Sequence, residues 1–297
     1  MTGVTVAAVV LQYGRFDLTR ACIESLRRQT HSVTVWLVDN DSPLMTAQLQ
    51  NELTALADET EFLTENLGYG AANNVAIRRI VAAQMCDAIL VLNNDTVLPT
   101  DCLAQLVAAL ARHPRAAQMA PQIRDTDGRL QAAGGEVRDW ACEARLRGHH
   151  GWDSAAYQVE ARVEYAPGMA VLVRTAAIRA AGTIPESFFL YAEDVAWSWT
   201  FARAGWEVWY TSEAWVTHHE SASTGLFHPT KGYYLIRANV LLARQRFTTT
   251  RSYRRAVLQL AWKLVRQSVK HCMHPRFVLA LWQGYGAGLR GKTGRAR

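Results

Sequence analysis

The run Ile-Leu-Val-Leu at positions 89–92 leads straight into Asn93, Asn94 and Asp95. Amide and carboxylate side chains are costly to dehydrate, so this trio belongs at the wet end of a buried strand, as a turn or as a grip on something polar. A single aspartate can bind Mg²⁺ or Mn²⁺ there if a diphosphate supplies further oxygens, because Mg²⁺ commonly takes only one or two protein carboxylates. Asp95 is the carboxylate, and Asn93 and Asn94 can hydrogen-bond sugar or ribose hydroxyls without adding negative charge. His218 closes a later apolar segment and offers a neutral imidazole, a combination that suits Mn²⁺ better than Mg²⁺. Asp39 and Asp41 end another apolar run and can accept hydrogen bonds from base N–H and ribose hydroxyl groups.

Glu193-Asp194 adds a candidate base, since a carboxylate at the reacting centre can take a proton from an attacking hydroxyl. The alternative is that both acids simply favour the positive end of a helix dipole. Trp197 and Trp199 beside them fit a core-facing helical stripe better than a sugar platform.

The elements that must position these residues alternate. Strands are expected over 4–12, 33–38, 61–64 and 88–92, and helices over 17–29, from Ser42-Pro43 to about 57, after the 66–74 cluster to about 84, and from Pro99 to about 113. This rhythm predicts an α/β fold with a parallel sheet covered on both faces, in which ligands bind beyond the carboxyl ends of the strands. The clusters at 39–41, 66–74 and 93–95 each follow such a strand end. Any one alone reads as a turn or cap; three together imply a shared crevice. Residues 124–164 read as loop-rich and substrate-facing. A strand is expected over 165–173, a helix over 192–205, short strands over 206–210 and 214–217, and helices from Tyr233 onward.

The 297 residues are 49% hydrophobic, enough for a core. The start lacks a basic segment and a small-residue cleavage site, which argues against a secretory signal. Five widely spaced cysteines without a Cys-x-x-Cys pair fit reduced, cytoplasmic thiols, and no apolar run reaches spanning length. Net charge is +6, but Glu220 is the last acid: residues 1–220 carry 17 Lys/Arg against 26 Asp/Glu, and residues 221–297 carry 15 Lys/Arg and none. Within 251–291 the cations alternate with Leu, Val, Phe and Trp, the pattern of a basic amphipathic helix at an anionic membrane surface. The alternative is a helical cap drawn onto the acidic part of the chain. Nucleic-acid binding would also suit the charge, but no nucleic-acid motif accompanies it and the strand-end acids would go unexplained; no nucleic-acid partner is expected. A glycan- or nucleotide-binding protein without catalysis is the other alternative.

Taken in order, Val38-Asp-Asn-Asp-Ser42, Asn66-Leu-Gly-Tyr-Gly-Ala-Ala-Asn73, Leu92-Asn-Asn-Asp-Thr96, Pro167-Gly168, Phe189-Leu-Tyr-Ala-Glu-Asp-Val195 and His218-His219-Glu-Ser-Ala-Ser223 resemble inverting family-2 glycosyltransferases of the bacterial rhamnosyltransferase-like branch, over roughly residues 4–247. The resemblance implies a GT-A (Rossmann-like) nucleotide-diphospho-sugar transferase fold with a mostly parallel sheet over 1–225 and a basic helical extension over 226–297. The nucleotide-sugar half would be about 1–120 and the acceptor half about 121–225. It implies Asp194 as base with Glu193 beside it and Asp95 and His218 at the metal, Mg²⁺ or Mn²⁺. Gln12, Asp39, Asp41, Asn66, Gly68, Tyr69, Asn73, Asn93 and Asn94 would face a dTDP- or UDP-linked donor. Trp152, Gly168 and Met169 would face a glycan or lipid-diphosphate-linked acceptor. The implied reaction is a single displacement with inversion, in cell-surface polysaccharide synthesis at the inner face of the plasma membrane. Three positions depart from the family pattern: Asn93 replaces an aspartate, Ala196 an acid, and Ala238 separates Arg237 from Asn239.

Overall fold

The computed structural model describes residues 3–138, 143–149, 155–219 and 227–296. The chain opens with β1 (Val6–Gln12), α1 (Phe16–Arg27), β2 (Thr34–Asp39), α2 (Ala47–Leu56), β3 (Glu59–Phe62), α3 (Tyr69–Ala82) and β4 (Ala88–Asn93). A two-residue β5 (Thr96–Val97), α4 (Cys102–Arg112), β6 (Ala116–Arg124), β7 (Leu130–Ala132), β8 (Gly135–Arg138), β9 (Glu143–Leu146) and β10 (Ala161–Arg162) follow. Then come β11 (Ala170–Arg174), α5 (Thr175–Ala181), α6 (Glu193–Arg203), β12 (Glu207–His218), α7 (Pro229–Arg246), α8 (Thr250–Lys270) and α9 (Pro275–Leu289).

The main sheet runs β10-β12-β6-β11-β4-β1-β2-β3. The pairs of β1 with β2 and β4, of β2 with β3 and of β6 with β12 are parallel, while β11 runs antiparallel to β4 and β6. β1 is buried from end to end because helices cover both faces. Its alternate residues feed two cores. Val6, Ala8 and Val10 meet Cys22, Ile23 and Leu26 of α1, while Ala7, Val9 and Leu11 meet Ala76, Ile77 and Ile80 of α3.

Several boundaries differ from expectation. Ser42-Pro43 does not start a helix. α2 begins at Ala47, capped by Thr46, whose hydroxyl accepts the Leu49 N–H at 3.2 Å. The two short strands near 206–217 are one strand, β12, with a register break between Tyr210 and Trp215. α4 starts at Cys102, past Pro99. β11 starts at Ala170, later than the strand expected from 165, and the loop-rich segment contains β7–β10. β6 and α5 carry no clear periodic signal and were not anticipated: Ala-Ala-Gln-Met-Ala-Pro-Gln-Ile-Arg is buried along nearly its whole length.

The C-terminal helices do pack on the sheet domain. Trp199, Val195 and Ala196 of α6 share a core with Ala238, Leu241 and Leu242 of α7, and Lys263 of α8 pairs with Glu143 at 2.9 Å. α9 lies close along α7 because Gly284 and Gly288 face it. A Cβ at Gly284 would stand 2.2 Å from the Tyr233 carbonyl oxygen. The outer face of α8 is not covered, and Leu258, Trp262 and Val269 are 69%, 66% and 73% exposed.

Candidate active site

Asp95 sits in the turn between β4 and β5, and His218 ends β12, which pairs with β5 through His218 and Thr96. The Asp95 carbonyl accepts the His219 N–H at 3.0 Å, locking the two strand ends together. His218 Nδ1 donates to Gln131 Oε1 at 2.9 Å, since an amide oxygen can only accept. That tautomer leaves an Nε2 lone pair 3.2 Å from Asp95 Oδ1, so the contact is a hydrogen bond only when His218 carries a second proton. Asp95 Oδ1 is buried and has no hydrogen-bond donor among the described residues. Two acceptors held face to face fit a shared cation, and the carboxylate–imidazole pair suits Mn²⁺ or Mg²⁺. Among the described residues no group of three or more His, Cys, Asp or Glu could hold a metal. Substrate and water can supply further ligands.

Behind Asp95 the platform is braced by amides. Gln12 is completely buried, donating to the Gly14 carbonyl at 2.7 Å and accepting from Thr19 and, at 3.2 Å, from Asn94. Asn94 also donates to Thr19 Oγ1 at 2.8 Å. Gln12 and the Asn94 amino group thus hold the platform together from behind, while Asn93 lies at the front, its Nδ2 3.5 Å from His218 Nε2.

At the neighbouring strand ends, Asp39 is buried, with Oδ2 accepting the Ser42 N–H at 3.1 Å and Oδ1 unpartnered. Burial raises its pKa above the ordinary carboxylate value, against the lowering effect of Ser42. Asp41 is exposed at the rim with φ 59°. Asn40, between them, was not singled out from sequence, yet it joins two strand ends: its Nδ2 donates to Asn66 Oδ1 at 3.2 Å and its Oδ1 accepts the Leu67 N–H at 2.8 Å. Asn66 also accepts the Gly68 N–H at 2.9 Å. Gly68 has φ 84°, and a Cβ there would lie 2.3 Å from the Phe189 carbonyl oxygen, so only glycine fits. Asn73 is buried with Oδ1 unpartnered, and Asn74 pins the 184–186 loop through Ile184 and Glu186.

α6 is entered through Tyr191 and Ala192, both left-handed at φ 70° and 65°. Such backbone costs on the order of 1–3 kcal/mol per residue and concentrates at functional sites. It delivers Glu193 and Asp194 to the helix start. Asp194 Oδ2 accepts the Gly168 N–H at 3.0 Å and Oδ1 the Val195 N–H at 2.8 Å. Tyr69 donates from its hydroxyl to the Gly168 carbonyl at 2.5 Å, and burial with the charges of Glu193, Asp194 and Asp95 drives its own pKa far up. Met169 then bridges to the platform, its carbonyl accepting Asn93 N–H at 3.0 Å and Thr96 Oγ1 at 3.3 Å. Burial first, and the Asp194 charge second, push Glu193 up to about 8, and burial also raises Asp194. Glu193 Oε2 has no partner among the described residues, whereas the two N–H donors on Asp194 favour its ionised form against the burial that raises its pKa.

Of the buried side-chain atoms without a partner among the described residues, half are Asp39 Oδ1, Asn73 Oδ1, Asp95 Oδ1 and Glu193 Oε2. Each such atom costs about 1–3 kcal/mol, which a ligand could recover. Trp197 and Trp199 are buried core residues. Trp152 lies outside the described residues, as does the 220–223 part of the His218 motif. Gln131, which fixes the His218 tautomer, was hidden in the loop-rich stretch: Leu-Gln-Ala has no local signature of a ligand-orienting amide.

Similar proteins bear on this arrangement. Two curated proteins from strains of Mycobacterium tuberculosis, each named N-acetylglucosaminyl-diphospho-decaprenol L-rhamnosyltransferase, are 30% identical over 185 residues, 54% of this chain and 58% of theirs. The alignment thus spans little more than half of those relatives. GalNAc-T7, solved with UDP, GalNAc and Mn²⁺, superposes with a TM-score of 0.64 at 14% identity, over 82% of this chain and 48% of its own. TarS of S. aureus gives 0.55 at 16% identity over 84% of this chain and 41% of its own. A shorter TarS structure in complex with UDP gives 0.52 at 16% identity over 85% and 70%. These likenesses carry the fold, which is GT-A with added C-terminal helices. The sequence profile described as Glycosyl transferase family 2 matches residues 8–168, more than half of the chain, and the chain belongs to that family.

Proposed function

We propose that this chain is an inverting glycosyltransferase that moves a sugar from a nucleoside-diphosphate donor to a hydroxyl of a glycan or lipid-diphosphate-linked acceptor in cell-surface polysaccharide synthesis. The observation that carries this is the two-residue link Gly168-Met169, which ties a carboxylate base, Asp194, to a metal-competent pair, Asp95 and His218.

In this reading Asp194 accepts the proton of the acceptor hydroxyl as that oxygen attacks the anomeric carbon from the face opposite the departing diphosphate. The bond from the anomeric carbon to the diphosphate oxygen breaks with its electron pair, and configuration inverts. Glu193, protonated, adds no second charge near the base and can hydrogen-bond a sugar hydroxyl. Asp39, Asp41 and Asn66 hold base and ribose, with Asn40 and Gly68 fixing the loop that carries Asn66. A divalent ion at Asp95 and His218 would neutralise the leaving diphosphate. Gly168 and Met169 frame the acceptor side.

The donor is a dTDP- or UDP-sugar, with rhamnose or another deoxyhexose as the transferred group; the rhamnosyl relatives and the UDP-bound fold neighbours support that choice. Catalysis belongs to residues 1–225, with the donor half about 1–120, and residues 226–297 form an extension. No described helix is long and apolar enough to cross a membrane. The exposed Leu258, Trp262 and Val269 among the cations of α8 support peripheral attachment to the anionic inner face of the plasma membrane. A thermal-shift screen of dTDP- and UDP-sugars with Mg²⁺ or Mn²⁺ tests the central claim. At least one pair should raise Tm by several degrees, and no shift with any nucleotide in either metal would sink it.

A further inference from the structure

The C-terminal residues after α9 fold back across the front of the molecule. The Ala296 N–H donates to the Tyr234 hydroxyl at 2.8 Å, and the Gly294 N–H reaches the Ser187 carbonyl at 3.4 Å, close to the loop that leads to Asp194. Between this tail and the strand ends lies a cavity of about 640 Å³. Asn66, Phe189 and Tyr234 form part of one wall, and Arg290, Lys292 and Arg295 stand on the other. No carboxylate of the described residues lines it. None of the three cations forms an ion pair with a described residue. Arg237, only 2% exposed, also has no acidic partner among the described residues; its guanidinium lies 4.7 Å from the centroid of the Tyr234 ring.

Resting on the glycosyltransferase reading above, we propose that this cavity is a second anion subsite that holds the diphosphate of a lipid-linked acceptor. Three cations line a cavity with no counter-charge among the described residues, with Arg237 buried behind Tyr234, and guanidinium groups match phosphate oxygens in pairs. Neither Asp95 nor His218 lines the cavity, nor do Asn93 and Asn94, so its cations stand apart from the metal pair, although Asn66 borders both the cavity and the nucleoside side of the donor site. The ligand is amphipathic. α9 turns Ala280, Gln283 and Ala287 into the cavity while its neighbouring Leu279 and Trp282 remain 57% and 39% exposed. An anionic head in the cavity would therefore leave its hydrocarbon chain beside an apolar helix flank. The acceptor sugar attached to that diphosphate would extend toward Phe189 and the Asp194 loop.

The test uses the full chain, with farnesyl diphosphate at submicellar concentration as the lipid-diphosphate probe, farnesol as the uncharged control, and UDP or dTDP with Mn²⁺ as the donor probe, all by calorimetry. The Arg290→Ala/Lys292→Ala/Arg295→Ala variant is expected to bind farnesyl diphosphate at least tenfold more weakly and to keep its nucleotide affinity. A variant with Arg251, Arg254 and Arg255 changed to Ala removes equal charge outside the cavity and should bind as the parent does. The proposal falls if the parent does not bind farnesyl diphosphate in preference to farnesol, or if the tail variant keeps that binding. It falls equally if nucleotide affinity drops by the same factor, which would assign the cations to the donor, or if the α8 variant is equally impaired. A parent that binds farnesyl diphosphate through the tail but no nucleotide would overturn the proposed transfer and leave the anion subsite standing.

Discussion

The backbone N–H of Gly168 donates to Oδ2 of Asp194 at 3.0 Å, holding the carboxylate at the start of α6. An asparagine keeps an acceptor for that N–H but cannot take a proton. Asp194→Asn is therefore expected to lower turnover by on the order of 10³-fold while donor affinity stays within about twofold. Steady-state rates and nucleotide titration on the same preparation check it. Substantial residual turnover would remove Asp194 as the base.

Metal and nucleotide should bind as a unit, because among the described residues no third His, Cys, Asp or Glu joins Asp95 and His218. Mn²⁺ alone should bind weakly, and much more tightly once UDP or dTDP is added, as read by the loss of the free Mn²⁺ resonance signal. His218→Ala should abolish that enhancement. Gln131→Leu, which releases the His218 tautomer, should weaken it by about 10-fold or more. Tight binding of Mn²⁺ alone would contradict the two-ligand site.

Glu193 gives a pH signature. The folded protein keeps its proton up to about pH 8, whereas the unfolded chain releases it near 4.5. The folded state thus binds the extra proton between these values, and stability present below pH 4.5 is lost as pH rises through 8. Glu193→Gln should flatten the fall of Tm over this window, relative to the parent. An unchanged slope would show that Glu193 is ionised in the folded protein.

Gly68→Ala places a Cβ at φ 84° against the Phe189 carbonyl. A loss of about 2–4 kcal/mol in unfolding free energy is expected, from positive-φ strain plus a backbone clash. Urea melts check it, and a loss under about 0.5 kcal/mol, typical of an unconstrained surface site, would mean that the loop is not held against Phe189.

The α8 face predicts vesicle binding. The parent should sediment with phosphatidylglycerol vesicles at low salt and be released by high salt, whereas Leu258→Ser/Trp262→Ser/Val269→Ser should stay in the supernatant. Equal sedimentation of parent and variant would exclude this stripe as the contact.

The strand-end clusters were legible because three successive apolar runs each lead into Asn or Asp, more than a single turn or cap explains, and the parallel order of β1, β2, β3 and β4 followed from the alternating periods. Parts set by distant partners were not legible. Gln131 meets His218 across 87 residues, and Asn40 meets Asn66 through the pairing of neighbouring strand ends. Ser42 looked like a helix cap but instead donates its N–H to Asp39 and accepts the Gly14 N–H at 2.9 Å. A Ser-Pro pair has the same local chemistry in either role, and only the tertiary neighbour decides. Of the two tail alternatives the packing one is observed, since α7 shares a core with α6, while Leu258, Trp262 and Val269 of α8 stay exposed.

The reversed direction of β11 has a consequence for charge. Where the parallel strands stop, each presents backbone that has finished its ladder, and the neighbouring loops crowd carboxylates and amides there. A strand running the other way begins at that same edge, so its leading peptide arrives with an N–H still uncommitted to the sheet. Gly168 lies on that approach, two residues before β11, and its N–H goes to Asp194. One inverted strand thus furnishes a neutral donor at a rim otherwise rich in acceptors, and that donor favours the ionised form of Asp194 against the burial that raises its pKa.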